Sequence, residues 1–404
     1  MTLSETKGMV IIMENRFSTR LDNISGSAIR EIFKYLADPE MISLAGGNPA
    51  PDTFPKEELA KIASKLLLED GEKLLQYGPT KGYVPLMEEV LKREAKKGVK
   101  ADLENILITS GSSQGIELMA KTFTNKGDVI LVESPTFLGA IQTFKGFETE
   151  LVAVNTDNDG VILSDLEQKI KAHNPKFFYV IPTFQNPTGV TLAEDRRQKL
   201  VEICSKNNVK VLEDDPYGEL RYSGQDVSPL KKFDTDGTVI RLISFSKLIS
   251  PGLRIGAAIG DAETIGKFTM FKQGMDVHTP NLNQAMVHEY IKAGKLEPHI
   301  VETIKSYKQK KDLMLKLIKE HFPSNIKILK SEGGLFLWLK LPENVDAIDI
   351  FKKGIEQKVA FVPGTHFFAQ GGNLNTMRLN YSMSSLKNIE IGIKMLAKVL
   401  KENM

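Results

Sequence analysis

The chain has a single cysteine in 404 residues, so no disulfide can form within it. Cys204 falls in an apolar-periodic run at 200–204, where a small buried hydrophobe is the natural reading and a nucleophile the poor one. Neither sign of charge is in excess: Lys plus Arg number 53 against 51 Asp plus Glu, a net charge of +2. That balance leaves no electrostatic footprint for nucleic acid or an anionic membrane surface. Long apolar runs are missing too. The longest uncharged stretch, 177–193, contains Pro182, Gln185, Asn186 and Pro187, which suits a strand entering a loop and not a membrane span. Residues 10–13 are too few for the apolar core of a signal peptide, and Glu14 follows. A cytoplasmic setting is expected. There is no Gly-x-Gly-x-x-Gly and no Gly-Lys-Ser/Thr, which counts against a nicotinamide site and a P-loop. No repeat, low-complexity linker or appended DNA-binding module is visible, and no metal site is expected.

What is present is a rhythm. Short β-branched apolar runs at 106–109, 129–132, 151–154, 177–181, 209–212, 239–243 and 255–259 alternate with amphipathic stretches such as 115–124 and 194–207. Nearly continuous apolar character is what strands covered on both faces require. The alternation predicts an α/β fold with a large, mostly parallel seven-stranded sheet between helices. From about Pro280 the rhythm changes. Residues 282–322 read as helix broken near Pro298, with Lys308, Lys310, Lys311, Lys316 and Lys319 most simply on a solvated face. Shorter strands at 334–341, 359–362 and 377–382 and a helix at 386–402 then suggest a smaller α+β domain. The organisation expected is an arm with part of the small domain at 1–55, a large domain at 56–295 and a small domain at 296–404.

In parallel sheets ligands bind beyond the carboxyl ends of the strands, so the polar residues there carry the chemistry. The first strand leads into Ser110, Gly111, Ser112 and Ser113 before a helix, whose free N–H groups and dipole suit a phosphate. A serine at this position can equally be a plain N-cap. The fourth strand leads into Gln185, Asn186, Pro187, Thr188 and Gly189. The fifth ends in Glu213, Asp214 and Asp215, then Pro216 and Tyr217. Adjacent acids at a strand end are costly unless they meet a cation. The sixth leads into Ser244, Phe245, Ser246 and Lys247, with Arg254 seven residues on. A lysine among small hydroxyls at the mouth of a sheet can be desolvated and reactive, and Arg254 can return as an anion anchor.

With Leu44-Ala45-Gly46-Gly47, Gln76-Tyr77-Gly78, Pro251-Gly252-Leu253-Arg254 and Met377-Arg378-Leu379-Asn380 added in order, the chain resembles the fold-type-I pyridoxal-phosphate aminotransferases of class I and II. Within them it is most similar to the branch of 2-aminoadipate and kynurenine aminotransferases. The resemblance runs from about Ile29 to the C-terminus. It implies that Lys247 holds the pyridoxal 5'-phosphate aldehyde as a Schiff base and later serves as general base. It implies that Asp214 faces the pyridine nitrogen, that Asn186 and Tyr217 meet the phenolic oxygen, and that Phe137 stacks on the ring where the branch often has Tyr. Ser112, Ser113, Ser244, Ser246 and Arg254 would hold the phosphate, joined by Tyr77 from a partner subunit in a homodimer with shared sites. Relatives carry Gln where Ser113 stands, so its contact would come from the backbone. Arg378 would pair with the substrate α-carboxylate and Gly47 would leave room beside it. Arg30 matches a position that can greet a distal carboxylate, and a solvated arginine is an equal reading. Asn48 replaces an expected apolar residue, while Phe17, Leu21, Ile24 and Phe367 could line an apolar pocket.

The expected reaction is transfer of the amino group of an α-amino acid, of 2-aminoadipate, aromatic or branched-chain type, to a 2-oxo acid such as 2-oxoglutarate by a ping-pong mechanism. The alternative on the same scaffold is β-elimination. A cofactor-sensing regulatory domain is the remote alternative, since such proteins carry a basic winged helix ahead of the motifs.

Overall fold

The computed structural model describes residues 17–23 and 38–404. All seven predicted strands are present in one sheet: β1 (Ile106–Thr109), β2 (Val129–Ser134), β3 (Glu150–Asp157), β5 (Phe177–Val180), β6 (Lys210–Asp215), β7 (Val239–Ser244) and β8 (Gly256–Ile259). An eighth, β4 (Gly160–Val161), adds two residues at the edge beside β3. So short a strand leaves no periodicity in sequence. The order is β1-β8-β7-β6-β5-β2-β3-β4. The run from β7 to β3 is parallel, whereas β8 is antiparallel to both its neighbours. Helices cover the sheet, which is why β1, β5 and β8 are buried at every position. Cys204 is fully buried under β6, and burial pushes its thiol up to about 12, as a core hydrophobe requires.

The helical stretch after 280 is two helices, Asn281–Lys292 and Leu296–His321. The break is at Gly294, with φ of +67°, rather than at Pro298. Pro298 lies in the first turn of the second helix, where its missing N–H has no partner to lose. The lysine face is not uniformly solvated. Lys308 and Lys316 pair with Asp312 and Glu320 at the surface. Lys310 and Lys311, however, are buried, donating to the carbonyls of Ser382 at 2.8 Å and Ser331 at 2.9 Å. A helical periodicity of lysines cannot tell a wet face from one covered by a distant chain segment. This helix instead packs against the last one, Leu386–Asn403.

The second sheet is antiparallel. It contains β9 (Lys327–Ile328), β10 (Phe336–Lys340), β11 (Val362–Pro363) and β12 (Thr376–Asn380), in the order β9-β10-β12-β11. Ile42–Ser43 pairs in parallel with Val359–Ala360, so the early chain is tied to this end of the molecule. Arg378 lies on β12 opposite Trp338 on one side and Val362 on the other. That register fixes its backbone between two strands. No described helix is long and apolar enough to cross a membrane.

Candidate active site

Five chain segments end at one place because β1, β2, β5, β6 and β7 all run the same way, and β8 begins there because it runs the other way. A cavity of about 250 Å³ opens at that place. Gly47, Ser112, Ser113, Phe137, Asn186, Asp214, Tyr217, Ser244, Ser246, Lys247, Arg254 and Arg378 all line it. Asn48 and Ile181 join them. Of the predicted site, Tyr77 and Arg30 are not in this lining. Arg30 and Ile24 lie outside the described residues, as do residues 10–13. Tyr77 is 79% exposed, its ring edge-on to His278 at 6.0 Å. Phe17 and Leu21 are exposed. Phe367 is fully buried, but against the Arg378 guanidinium at 4.8 Å.

A larger groove, of about 980 Å³, lies where Asp215 and Arg241 point. Size does not make it the site, because most of its charges are already paired. Arg93 meets Glu219 and Glu297, Lys97 meets Glu94 and Glu219, and Arg221 meets Glu332 and Asp226. The smaller cavity is different in kind: Asp214, Lys247, Arg254 and Arg378 make no ion pair among the described residues.

The acids at the end of β6 show how the strand sorts them. Side chains alternate across a sheet. Glu213 and Asp215 face one way and meet Arg241, at 2.8 Å each, while Glu94 holds the third side of that guanidinium at 2.6 Å. Asp214 faces the cavity. Its Oδ2 accepts a hydrogen bond from the Tyr179 hydroxyl at 2.8 Å, and its Oδ1 is buried without a partner. Burial raises its pKa to about 7, the Tyr179 bond opposing and the Asp215 charge adding to the rise. A buried carboxylate oxygen with nothing to accept from is a vacancy for a donor, and a protonated ring nitrogen fits it.

Lys247 is half-buried and makes no hydrogen bond or ion pair among the described residues. Burial, then the charges of Arg254 and Arg378, lower its pKa to about 8. An amine in that range reaches its neutral, nucleophilic form near physiological pH.

Arg378 is buried, with no carboxylate paired to it among the described residues. One Nη donates to Asn186 Oδ1 and the other to the Ala45 carbonyl, each at 2.8 Å, and Nε has no partner. The Phe336 ring centre lies 4.2 Å from the guanidinium carbon, a cation–π contact that only partly offsets the missing counter-ion. Burial alone lowers its pKa to about 10. A buried cation without an anion is costly, and a substrate carboxylate would supply the missing charge. Asn186 is held by its own turn, in which Gln185 Oε1 accepts from Thr188 N and Oγ1 and Gln185 Nε2 donates to the Pro135 carbonyl. The Asn186–Pro187 bond is cis. Tyr217 packs edge-on to Phe336 at 6.0 Å, and burial holds its hydroxyl well above the usual phenol range, the charge of Arg378 and the nearby Asn186 opposing the rise.

The phosphate end is built from backbone. The helix Ser112–Phe123 starts after Gly111, which has no side chain to cap it, so its first N–H groups face the cavity free. Arg254 lies beside them, one Nη donating to the Ser110 carbonyl at 2.9 Å. Gly111 has φ of +80°, and a Cβ there would lie 2.2 Å from that guanidinium. Ser244 and Ser246 are buried on the other side, Ser246 N donating to Ser244 Oγ at 3.2 Å. The set fits a phosphate.

Sequence reasoning missed the support behind this turn. Lys272 is fully buried and donates to Asp276, to Gln114 Oε1 at 2.7 Å and to Thr279 at 3.0 Å. Gln114 Oε1 also accepts from Ser110 N, and Ser110 Oγ donates to Asp276 at 2.9 Å. A Lys and an Asp four apart on a helix read in sequence as a solvated pair, so no signal marked them.

Residues 39–396 match the family model described as aminotransferase class I and II. The chain is 41% identical over 397 residues to aromatic-amino-acid aminotransferase 1 of Thermococcus litoralis, covering 97% of this chain and 95% of the relative. It is 39% identical to the 2-aminoadipate transaminase of Thermus thermophilus, covering 95% and 96%. Among solved structures, a Pyrococcus horikoshii kynurenine aminotransferase in complex with PMP superposes with a TM-score of 0.93 at 41% identity, covering 96% of this chain and 98% of that one.

Proposed function

The chain belongs to the class I and II aminotransferases, and from that premise we propose that it moves the amino group of an α-amino acid, of 2-aminoadipate, aromatic or branched-chain type, to a 2-oxo acid such as 2-oxoglutarate. The observation that carries the reading is one cavity onto which a depressed lysine, an unpartnered aspartate oxygen and an uncompensated buried arginine all open. A binding or structural protein would have no use for that combination.

The cofactor is pyridoxal 5'-phosphate. When bound it supplies an aldehyde that condenses with amines and a ring that withdraws electrons from the substrate α-carbon. The free N–H groups before Ser112 and Ser113, with Ser244, Ser246 and Arg254, would hold its phosphate. Asp214 would take the ring nitrogen through Oδ1, Asn186 and Tyr217 the phenolic oxygen, and Phe137 the ring face. Asn186 suits two roles, because its Oδ1 already serves Arg378 and its amide N–H groups remain to donate. Arg378 would bind the substrate α-carboxylate through the orphaned Nε and the second N–H of an Nη, its bonds to Asn186 and Ala45 being kept, and Gly47 would leave space beside it. Lys247 in its neutral form would take the proton from the substrate α-carbon and deliver it to the cofactor's imine carbon.

Two further parts belong to this proposal. The protein would be a homodimer with shared sites, to which Tyr77 is given over by each subunit. Its exposure, with Leu68 at 84% and Leu75 at 73% nearby in the chain, supports an apolar surface awaiting a partner. The division at about residues 55 and 295 into arm, large domain and small domain follows the change from the large sheet to the antiparallel one. For side-chain choice, Lys247, Arg254 and Arg378 are the cations in the described cavity lining, and each is already assigned. A distal carboxylate would then need Arg30.

The test is spectroscopic. The purified protein with pyridoxal phosphate should turn yellow, and Lys247→Ala should not. Glutamate, 2-aminoadipate, leucine, phenylalanine and kynurenine should bleach the colour at different rates, and a 2-oxo acid should restore it. A fast 2-aminoadipate reaction that Arg30→Ala slows selectively supports the distal contact. Protein that stays colourless with excess cofactor refutes the reading, and release of pyruvate and ammonia would replace transfer by β-elimination.

A further inference from the structure

Asp214 has two oxygens in different situations, and the difference is made by one neighbour. Oδ2 accepts from the Tyr179 hydroxyl at 2.8 Å; Oδ1 is unpartnered on a residue that lines the cavity. Tyr179 is fully buried on β5, the strand beside β6, with its ring against Phe144 at 5.6 Å. Burial and the Asp214 charge hold its hydroxyl well above the usual phenol range, so it stays a donor at every working pH. The other groups around Asp214 are weaker or point elsewhere. Asp215 faces Arg241 across the sheet, Ser112 pulls without hydrogen-bond geometry, and Tyr217 faces Asn186 and Arg378. Behind Tyr179 stands Glu133, buried without a cation and accepting from Ile181 N at 2.8 Å. Burial raises its pKa to about 8, so near neutral pH it is mostly protonated and adds little charge beside Tyr179.

We propose that Tyr179 is a positioning residue for the reaction: its hydrogen bond aims Asp214 and holds it as the carboxylate, so that the proton shared with the cofactor ring stays on the ring nitrogen. This rests on the cofactor assignment above. The physical argument is one of basicity. A carboxylate that accepts a charge-assisted bond is a weaker base. Without it, a carboxylate buried at this depth takes the proton for itself and leaves the ring nitrogen neutral, a poorer electron sink. Tyr179 touches neither substrate nor cofactor in this scheme.

The experiment compares wild type with Tyr179→Phe, both loaded with pyridoxal phosphate labelled with ¹⁵N in the ring. The variant should bind cofactor at Lys247 and show the nitrogen resonance moved from the protonated toward the neutral position. Its kcat should fall roughly ten- to a hundredfold, the range of a charge-assisted hydrogen bond, while KM changes little. Asp214→Asn supplies a second background. There the tyrosine has no carboxylate to hold, so adding Tyr179→Phe should change kcat less than twofold, and with no charge left unpaired the double variant is the safer one to fold. A wild-type nitrogen signal in Tyr179→Phe, or an equal loss of kcat in both backgrounds, overturns the proposal. Failure of the wild type itself to take up the cofactor overturns the functional reading instead.

Discussion

A buried charge is expensive, and proteins keep one only where something arrives to meet it. Arg378 and Asp214 are two such groups of opposite sign on one cavity, yet they are not spent on each other: Arg378 is answered by Asn186 and a carbonyl, and Asp214 by a phenol. Arg241 shows the contrast. It is as deeply buried but is met by Glu94, Glu213 and Asp215, and its role is to tie β7 to β6 and to a helix. At the residue scale Lys247 gives a clean pH prediction. Its pKa is lowered to about 8, so below that pH the amine is mostly protonated and cannot attack an aldehyde. Uptake of pyridoxal phosphate by the apoprotein should therefore rise roughly tenfold per pH unit below 8 and level off above it. Stopped-flow absorbance measures this. A rate independent of pH between 6 and 8 would show an amine already neutral, or another step in control.

At the scale of the element, the phosphate end depends on a turn that only a glycine permits. Gly111 combines a positive φ with a close approach of Arg254, and the Lys272–Asp276–Gln114 network braces the same turn from behind. Gly111→Ala adds backbone strain and forces the guanidinium aside. The expected result is at least a tenfold weaker affinity for pyridoxal phosphate, about 1.4 kcal/mol, with a much smaller change in the melting temperature of the apoprotein. Titration of apoprotein and thermal unfolding separate the two effects. Unchanged affinity would mean that Arg254 takes no part in holding the phosphate. The network itself was invisible in sequence, since its members come from two helices and two loops brought together by the fold.

At the scale of the whole molecule, Tyr77 and its chain neighbours Leu68 and Leu75 are exposed. A shared-site homodimer predicts complementation. Tyr77→Phe keeps Lys247, and Lys247→Ala keeps Tyr77. A mixed dimer then holds one site with both native residues and one with neither. Unfolding and refolding the two variants together should raise activity to about a quarter of wild type at equal mixing, if Tyr77→Phe alone is strongly impaired. Activity equal to the sum of the separate variants would place Tyr77 outside the partner's site, and sedimentation at the monomer mass would remove the dimer altogether.

The sequence by itself determined the seven principal strands, because strands covered on both faces need runs of β-branched residues and leave little room for ambiguity. It also determined which strand ends carry the polar groups of the cavity, while the resemblance pointed to Gly47, Phe137 and Arg378; Ile181 and Pro216 line the cavity without having been assigned a role from sequence. Tertiary structure decided the rest. It made β8 antiparallel, placed the β6 acids on opposite faces with different partners, and buried Lys310, Lys311 and Lys272, whose spacing alone matched a solvated helix face. It also supplied Tyr179, a core aromatic by pattern, with a carboxylate to hold. The physical reason is common to all of these. Periodicity along a chain reports how much of a residue is covered, whereas the groups that cover it come from segments far away in sequence.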